Sequence, residues 1–158
     1  MRIIFQLINI TNGLIICNDS ILGCFVFCIG LKSVTFPSSL RTIDEQAFWG
    51  CDGLKDITLP DSLTSIGNGA FAHCDSLTSL RIPSSIIRIG DEAFQWCEGL
   101  KRIYSGPRKP IYIGKMVFSG IDKTKCTLFV PFGSKSLYQA EDNWKDFQNI
   151  IETSFRKD

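Results

Sequence analysis

Apolar side chains recur along this chain with a period of 23 residues. Leu54, Ile57 and Leu59 bracket the polar Asp56 and Thr58, and Pro60 follows. Alternation over so short a run predicts a half-buried strand. Proline has no N–H to give to a ladder, so it ends that strand. Leu63 and Ile66, with polar residues between them, predict a second extended piece, and the Ile66-Gly67 pair turns the chain. Ala70-Phe71-Ala72-His73-Cys74 fits a single helical turn that tucks Phe71 inward. The same order then restarts at Leu77 and runs through Pro83, Ile86, Ile89, Ala93-Phe94 and Cys97. One step earlier it runs from Leu31 through Pro37, Leu40, Ile43, Ala47-Phe48 and Cys51.

A fixed period of this size is the mark of a solenoid. One repeat cannot bury its apolar side alone, but stacked copies bury it continuously, so like residues form ladders. Strands of successive coils then pair in parallel at about 4.8 Å. Leu54/Leu77, Ile57/Leu80, Ile66/Ile89 and Phe71/Phe94 are the expected core, each large side chain contributing roughly 1.5–3 kcal/mol. The expected class is α/β: a right-handed solenoid of parallel strands with short helical turns and a C-terminal cap.

The repeat frays at both ends. Residues 100–121 form a further copy with one residue inserted, in which Ile121 takes the cysteine position. Cys126 to Pro131 reads as one more strand, and Ser136 to Glu141 as helical. Trp144, Phe147, Ile150 and Ile151 have the spacing of an amphipathic segment lying over the open end. Counting back 23 residues from Phe48 and Cys51 reaches Phe25 and Cys28, so the chain opens in the back half of a repeat with no N-terminal cap visible. The division expected is therefore 1–23 unassigned or degenerate repeat, 24–121 solenoid, 122–151 cap and 152–158 frayed tail. An uncapped first coil would offer an edge for self-association.

Composition removes several functions. The net charge is +1 with scattered basic residues, against the concentrated basic face that nucleic acid requires. No run of eighteen apolar residues exists to span a membrane. Of seven cysteines, Cys28, Cys51, Cys74 and Cys97 share one repeat position; Ile121 in the same series shows that packing, not sulfur chemistry, is wanted there. No C-x-x-C pair and a single histidine argue against a zinc cluster, and no metal or cofactor is expected. G-x-S-x-G, H-E-x-x-H and phosphate-cradling glycine loops are absent, so no catalytic residues are assigned. The first 24 residues lack the unbroken apolar run of a secretory signal, although Ile21-Leu22-Gly23-Cys24 resembles a lipidation box at Cys24.

The pattern L-x-x-I-x-[IL]-P-x-x-[LI]-x-x-I-x-x-x-A-F-x-x-C resembles the BspA-like leucine-rich repeats over about residues 24–151. Thr127 to Tyr138 and Trp144 to Ile150 look like the terminal segment of bacterial members. The resemblance implies a cell-surface or secreted protein, and adhesion to an extracellular protein or glycan.

Two surfaces are candidates for binding. The outward strand positions Ser33, Asp56, Ser79 and Arg102, with Thr35, Thr58, Arg81 and Tyr104 beside them, should align into one polar face. Trp49, His73 and Trp96 follow the Ala-Phe pair in successive coils and could anchor an interface. His73 aligns with Gly50 and Gly120, so it is expected to be exposed and free of a carboxylate fixed by the repeat. The alternative to a binding module is a structural spacer with no ligand of its own.

Overall fold

The computed structural model describes residues 6–10, 13–17, 20–21 and 25–154, the first three stretches by their backbone course alone. The chain winds as a parallel β-solenoid of about five turns. Its strands in order are β1 (Gln6–Ile10), β2 (Gly13–Cys17), β3 (Ser20–Ile21), β4 (Ser33–Thr35), β5 (Thr42–Ile43), β6 (Asp56–Thr58), β7 (Ser65–Ile66), β8 (Ser79–Ile82), β9 (Arg88–Ile89), β10 (Arg102–Ser105) and β11 (Thr127–Pro131). A short helix α1 (Lys135–Ala140) and strand β12 (Asn149–Thr153) follow. One sheet has eight strands in the order β12-β11-β10-β8-β6-β4-β1-β2, and the other has four, β3-β5-β7-β9.

The 23-residue period becomes register. Val34 lies beside Ile57, Asp56 beside Ser79 and Ile103 beside Leu80, all in parallel. Each strand-ending proline accepts the N–H of the buried residue three places on, as in Leu40 to Pro37, Leu63 to Pro60 and Ile86 to Pro83. That turn aims the second extended piece at the smaller sheet. Gly67 follows it because a side chain would collide with the coil before: a Cβ there would lie 2.5 Å from the backbone nitrogen of Glu45.

The Ala-Phe-x-x-Cys segments are not helical, contrary to the sequence expectation. Their N–H groups alternate between targets. Ala47, Trp49 and Cys51 donate to carbonyls three residues back, while Phe48 and Gly50 donate across to Ala70 and Ala72 of the next coil. The stacked coil supplies carbonyls that a lone helical turn would not meet. The alternation needs left-handed residues, and two occur per repeat: Gln46, Gly69, Glu92 and Met116, then Phe27, Gly50, His73, Trp96 and Gly120, with φ between 54° and 83°.

These turns place the phenylalanines in one column. Phe25, Phe48, Phe71, Phe94 and Phe118 stack with centroid separations of 4.9, 5.1, 5.4 and 6.1 Å. The column ends on Trp144 and Phe147, which stand edge-on to Phe118. Tyr138 of α1 is also buried, its hydroxyl donating to the Pro107 carbonyl at 2.7 Å and sharing a hydrogen bond with Ser105 at 2.8 Å.

Three further expectations are corrected. Ile150 and Ile151 belong to β12, which pairs in parallel with β11, and not to an amphipathic segment laid across the end. Glu152 and Thr153, assigned from sequence to a frayed tail, pair with Val130 and Pro131 in the same ladder. At the other end, β3 joins β5 in parallel as the back half of a coil, but β1 runs antiparallel to β4 and takes the edge that the sequence reading left open. Lipidation at Cys24 and the chain beyond Ser154 lie outside the described residues.

Candidate functional site

Strand alternation sends Leu and Ile inward and leaves every second side chain on the outer face of the eight-stranded sheet. Ser33, Asp56, Ser79 and Arg102 fall into one row across β4, β6, β8 and β10. Thr35 and Thr58 pair in the next row, as do Arg81 and Tyr104. Both rows run on into strands whose outward residues the sequence reading missed. Arg102 pairs with Thr127 and Thr127 with Asn149; Tyr104 pairs with Phe129 and Phe129 with Ile151. The signal for Phe129 was present: Leu128 and Val130 flank it with the same alternation as Ile103 and Ser105. Ile151 was hidden because Trp144 and Phe147 suggested a helical period.

The second row changes character along its length. It begins with hydroxyls at Thr35 and Thr58, becomes cationic at Arg81, and ends apolar at Tyr104, Phe129 and Ile151. The Tyr104 and Phe129 rings stack at 4.6 Å, and Ile151 stays 48% exposed. Beside this end, a cavity of about 380 Å³ is lined by Arg81, Arg108, Ser84, Pro131, Phe132 and Thr153 among others. A shallower depression of about 740 Å³, lined by Thr35, Thr58, Pro60, Asp61 and Arg81, adjoins it. Arg81, Arg102 and Arg108 form no ion pair among the described residues.

Trp49, His73 and Trp96 also come together, on the turns, and Phe27 joins them. Ring centroids are 5.0 Å apart for Phe27 and Trp49, 6.0 Å for Trp49 and His73, and 6.3 Å for His73 and Trp96. Trp49 lies one residue earlier in its repeat, yet its ring still reaches His73. His73 is half-buried, not exposed as expected, and it aligns with glycines because the position is left-handed. A side chain in that conformation costs about 1–2 kcal/mol, yet Phe27, His73 and Trp96 all adopt it. Asp75, two residues on, has its carboxyl raised above the usual range by burial and by the charges of Asp52 and Glu98 in neighbouring coils, with His73 partly offsetting them.

The cysteine column is packing with a hydrogen bond added. The Cys51, Cys74 and Cys97 thiols donate to the carbonyls of Phe25, Phe48 and Phe71 at 3.1, 3.3 and 3.1 Å. Burial, first among the causes, pushes the Cys51 thiol up to about 12, so it has no thiolate for nucleophilic chemistry at neutral pH. Among the described residues, no cluster of three His, Cys, Asp or Glu side chains is arranged to hold a metal ion. No helix among them is long and apolar enough to cross a membrane.

The BspA type leucine rich repeat region matches residues 22–139 in six copies. The solved leucine rich repeat protein of T. pallidum is similar in fold, with a TM-score of 0.65 and 24% identity over 93% of this chain and 78% of that one. A leucine-rich repeat protein from Bacteroides ovatus aligns with a TM-score of 0.37 and 18% identity over 85% of this chain and 59% of that one. No curated protein matches the chain.

Proposed function

The chain belongs to the BspA-type leucine-rich repeat family, and we propose that it is a non-catalytic module that binds a protein on the outer face of its eight-stranded sheet. Leucine-rich repeat proteins generally bind other proteins. The observation that carries the reading to one surface is the row Arg81, Tyr104, Phe129 and Ile151, in which unpaired cationic and exposed apolar groups adjoin a cavity. Aromatic residues and arginine are the groups that dominate binding energy at protein interfaces. The hydroxyl and carboxylate positions at Ser33, Thr35, Asp56 and Thr58 form the polar rim of the same face. The fitting partner carries an apolar side chain for the Tyr104–Phe129–Ile151 end and a carboxylate for Arg81 or Arg102.

The family resemblance favours a cell-surface or secreted setting, with adhesion to an extracellular protein as the role. The test combines fractionation of the native protein with a panel of immobilised matrix proteins and glycans. A surface or secreted fraction, with saturable retention on one protein, is the expected result. Arg81→Ala/Arg102→Ala/Tyr104→Ala should lose that retention with an unchanged melting temperature. A cytosolic protein that nothing on the panel retains would overturn the proposal and leave a structural spacer.

A further inference from the structure

The aromatic row on the turns lies away from the strand face and calls for its own explanation. Core packing does not supply one, since Phe27 is 63% exposed and Trp96 42% exposed. Nor does the repeat require rings here: Gly50 and Gly120 fill the same left-handed position without them. Those glycines instead make room for the rings. A Cβ on Gly50 would lie 2.5 Å from the Phe27 ring, and one on Gly120 would lie 2.5 Å from the Trp96 ring. The side chains thus rest against neighbouring coils and are held in place, with an open side to solvent.

Charge around the row is one-sided. The turn segments 44–53, 67–76 and 90–99 hold seven carboxylates and no lysine or arginine. Asp52, Asp75 and Glu98 repeat at the second residue after each left-handed position, all are exposed, and none forms an ion pair among the described residues. Their mutual repulsion is felt at Asp75. A row of aromatic rings beside unpaired carboxylates suits a cation with a flat, weakly hydrated head, which can lie on a ring while donating to a carboxylate. Guanidinium fits both demands, and a row extending over four coils suits several of them on one chain.

We propose that this aromatic row is a second docking surface whose occupant is an arginine-rich segment of a partner protein, lying along the solenoid between Phe27 and Trp96 and paired to Asp52, Asp75 and Glu98. The guanidinium groups would stack on Phe27, His73 and Trp96, and the carboxylates would raise their local concentration.

The experiment is fluorescence anisotropy of a labelled oligo-arginine peptide titrated with the protein at physiological salt, with an oligo-serine peptide of equal length as the control. Saturable binding of the arginine peptide alone is expected. Trp96→Gly removes a ring at a position where glycine is the easy residue, so its melting temperature should not fall, yet its affinity should drop by about fivefold or more. Asp52→Asn/Asp75→Asn/Glu98→Gln should abolish saturation with the fold retained by circular dichroism. Failure to saturate with the wild-type protein, or equal binding of the serine peptide, overturns the proposal. So does wild-type affinity in Trp96→Gly, which would leave charge attraction with no docking on the rings.

Discussion

Phe71→Ala cuts the phenylalanine column at its middle. Phe71 is fully buried and stacked on both sides, 5.1 Å from Phe48 and 5.4 Å from Phe94. Removing a buried phenylalanine ring costs roughly 3–5 kcal/mol in lost transfer and cavity energy. The parallel coils tied by hydrogen bonds on either side limit collapse into the gap, which places this site toward the upper end. Phe25 is equally buried but stacks on Phe48 alone at 4.9 Å, with no ring beyond it among the described residues. Phe25→Ala should therefore cost less than Phe71→Ala, by about one stacking term of 0.5–1.5 kcal/mol. For a chain of this size each kcal/mol moves the melting temperature by about 2–4 °C, so Phe71→Ala should lower it by roughly 6–20 °C. Urea unfolding followed by far-ultraviolet circular dichroism measures both variants, with equal slopes required for the comparison. A loss below about 1 kcal/mol for Phe71→Ala, or a larger loss for Phe25→Ala, would refute the view that the stacked rings hold the coils together.

Other consequences follow from the same contacts. Cys51, Cys74, Cys97 and Cys126 are fully buried and should label slowly with an alkylating probe in the folded state; one fast-reacting thiol among them would reopen a nucleophilic role. The native Cys51 and Cys126 thiols are raised mainly by burial to about 12 and about 11. Between the ordinary thiol value near 9 and these values, the folded protein keeps protons that the unfolded chain releases, so stability should fall as pH rises through that window. A flat stability profile from pH 9 to 11 would contradict it. Tyr138→Phe leaves the buried Ser105 hydroxyl and the Pro107 carbonyl without their shared partner, and should cost about 1–3 kcal/mol by chemical denaturation. Adding Ser105→Ala to it should cost less than the two separate losses added together. Gly67→Ala forces a Cβ against the Asp44–Glu45 backbone and should lower the melting temperature, whereas His73→Gly, at a left-handed position, should not.

Much of the fold was legible because a strict repeat turns one reading into several. Leu54, Ile57, Ile66 and Phe71 could be placed in the core from their spacing, and the register that joins Arg81 to Tyr104 is the period itself. What was not legible depended on contacts between coils. Ala70 to Cys74 has the composition of a helical turn, but its hydrogen bonds go to the next coil, which no local window contains. Trp144 and Phe147 carry a helical spacing while packing against Phe118 from an irregular connection into β12. The row of Trp49, His73 and Trp96 was visible as a recurrence, yet Phe27 was not, because Phe27-Cys28 falls in the least regular part of the repeat. The reason for Gly50 and Gly120 in that series, a left-handed backbone, needed the structure.

The most direct test of binding through the strand face is positional. A photo-crosslinking amino acid at position 104, on the outer face of β10, is compared with one at position 112, where Tyr112 is 78% exposed away from that sheet. Each variant is irradiated with the panel protein that the wild-type chain retains. The account predicts a covalent adduct from position 104 and none from position 112. An adduct from position 112 alone would contradict it and move the ligand off the strand face.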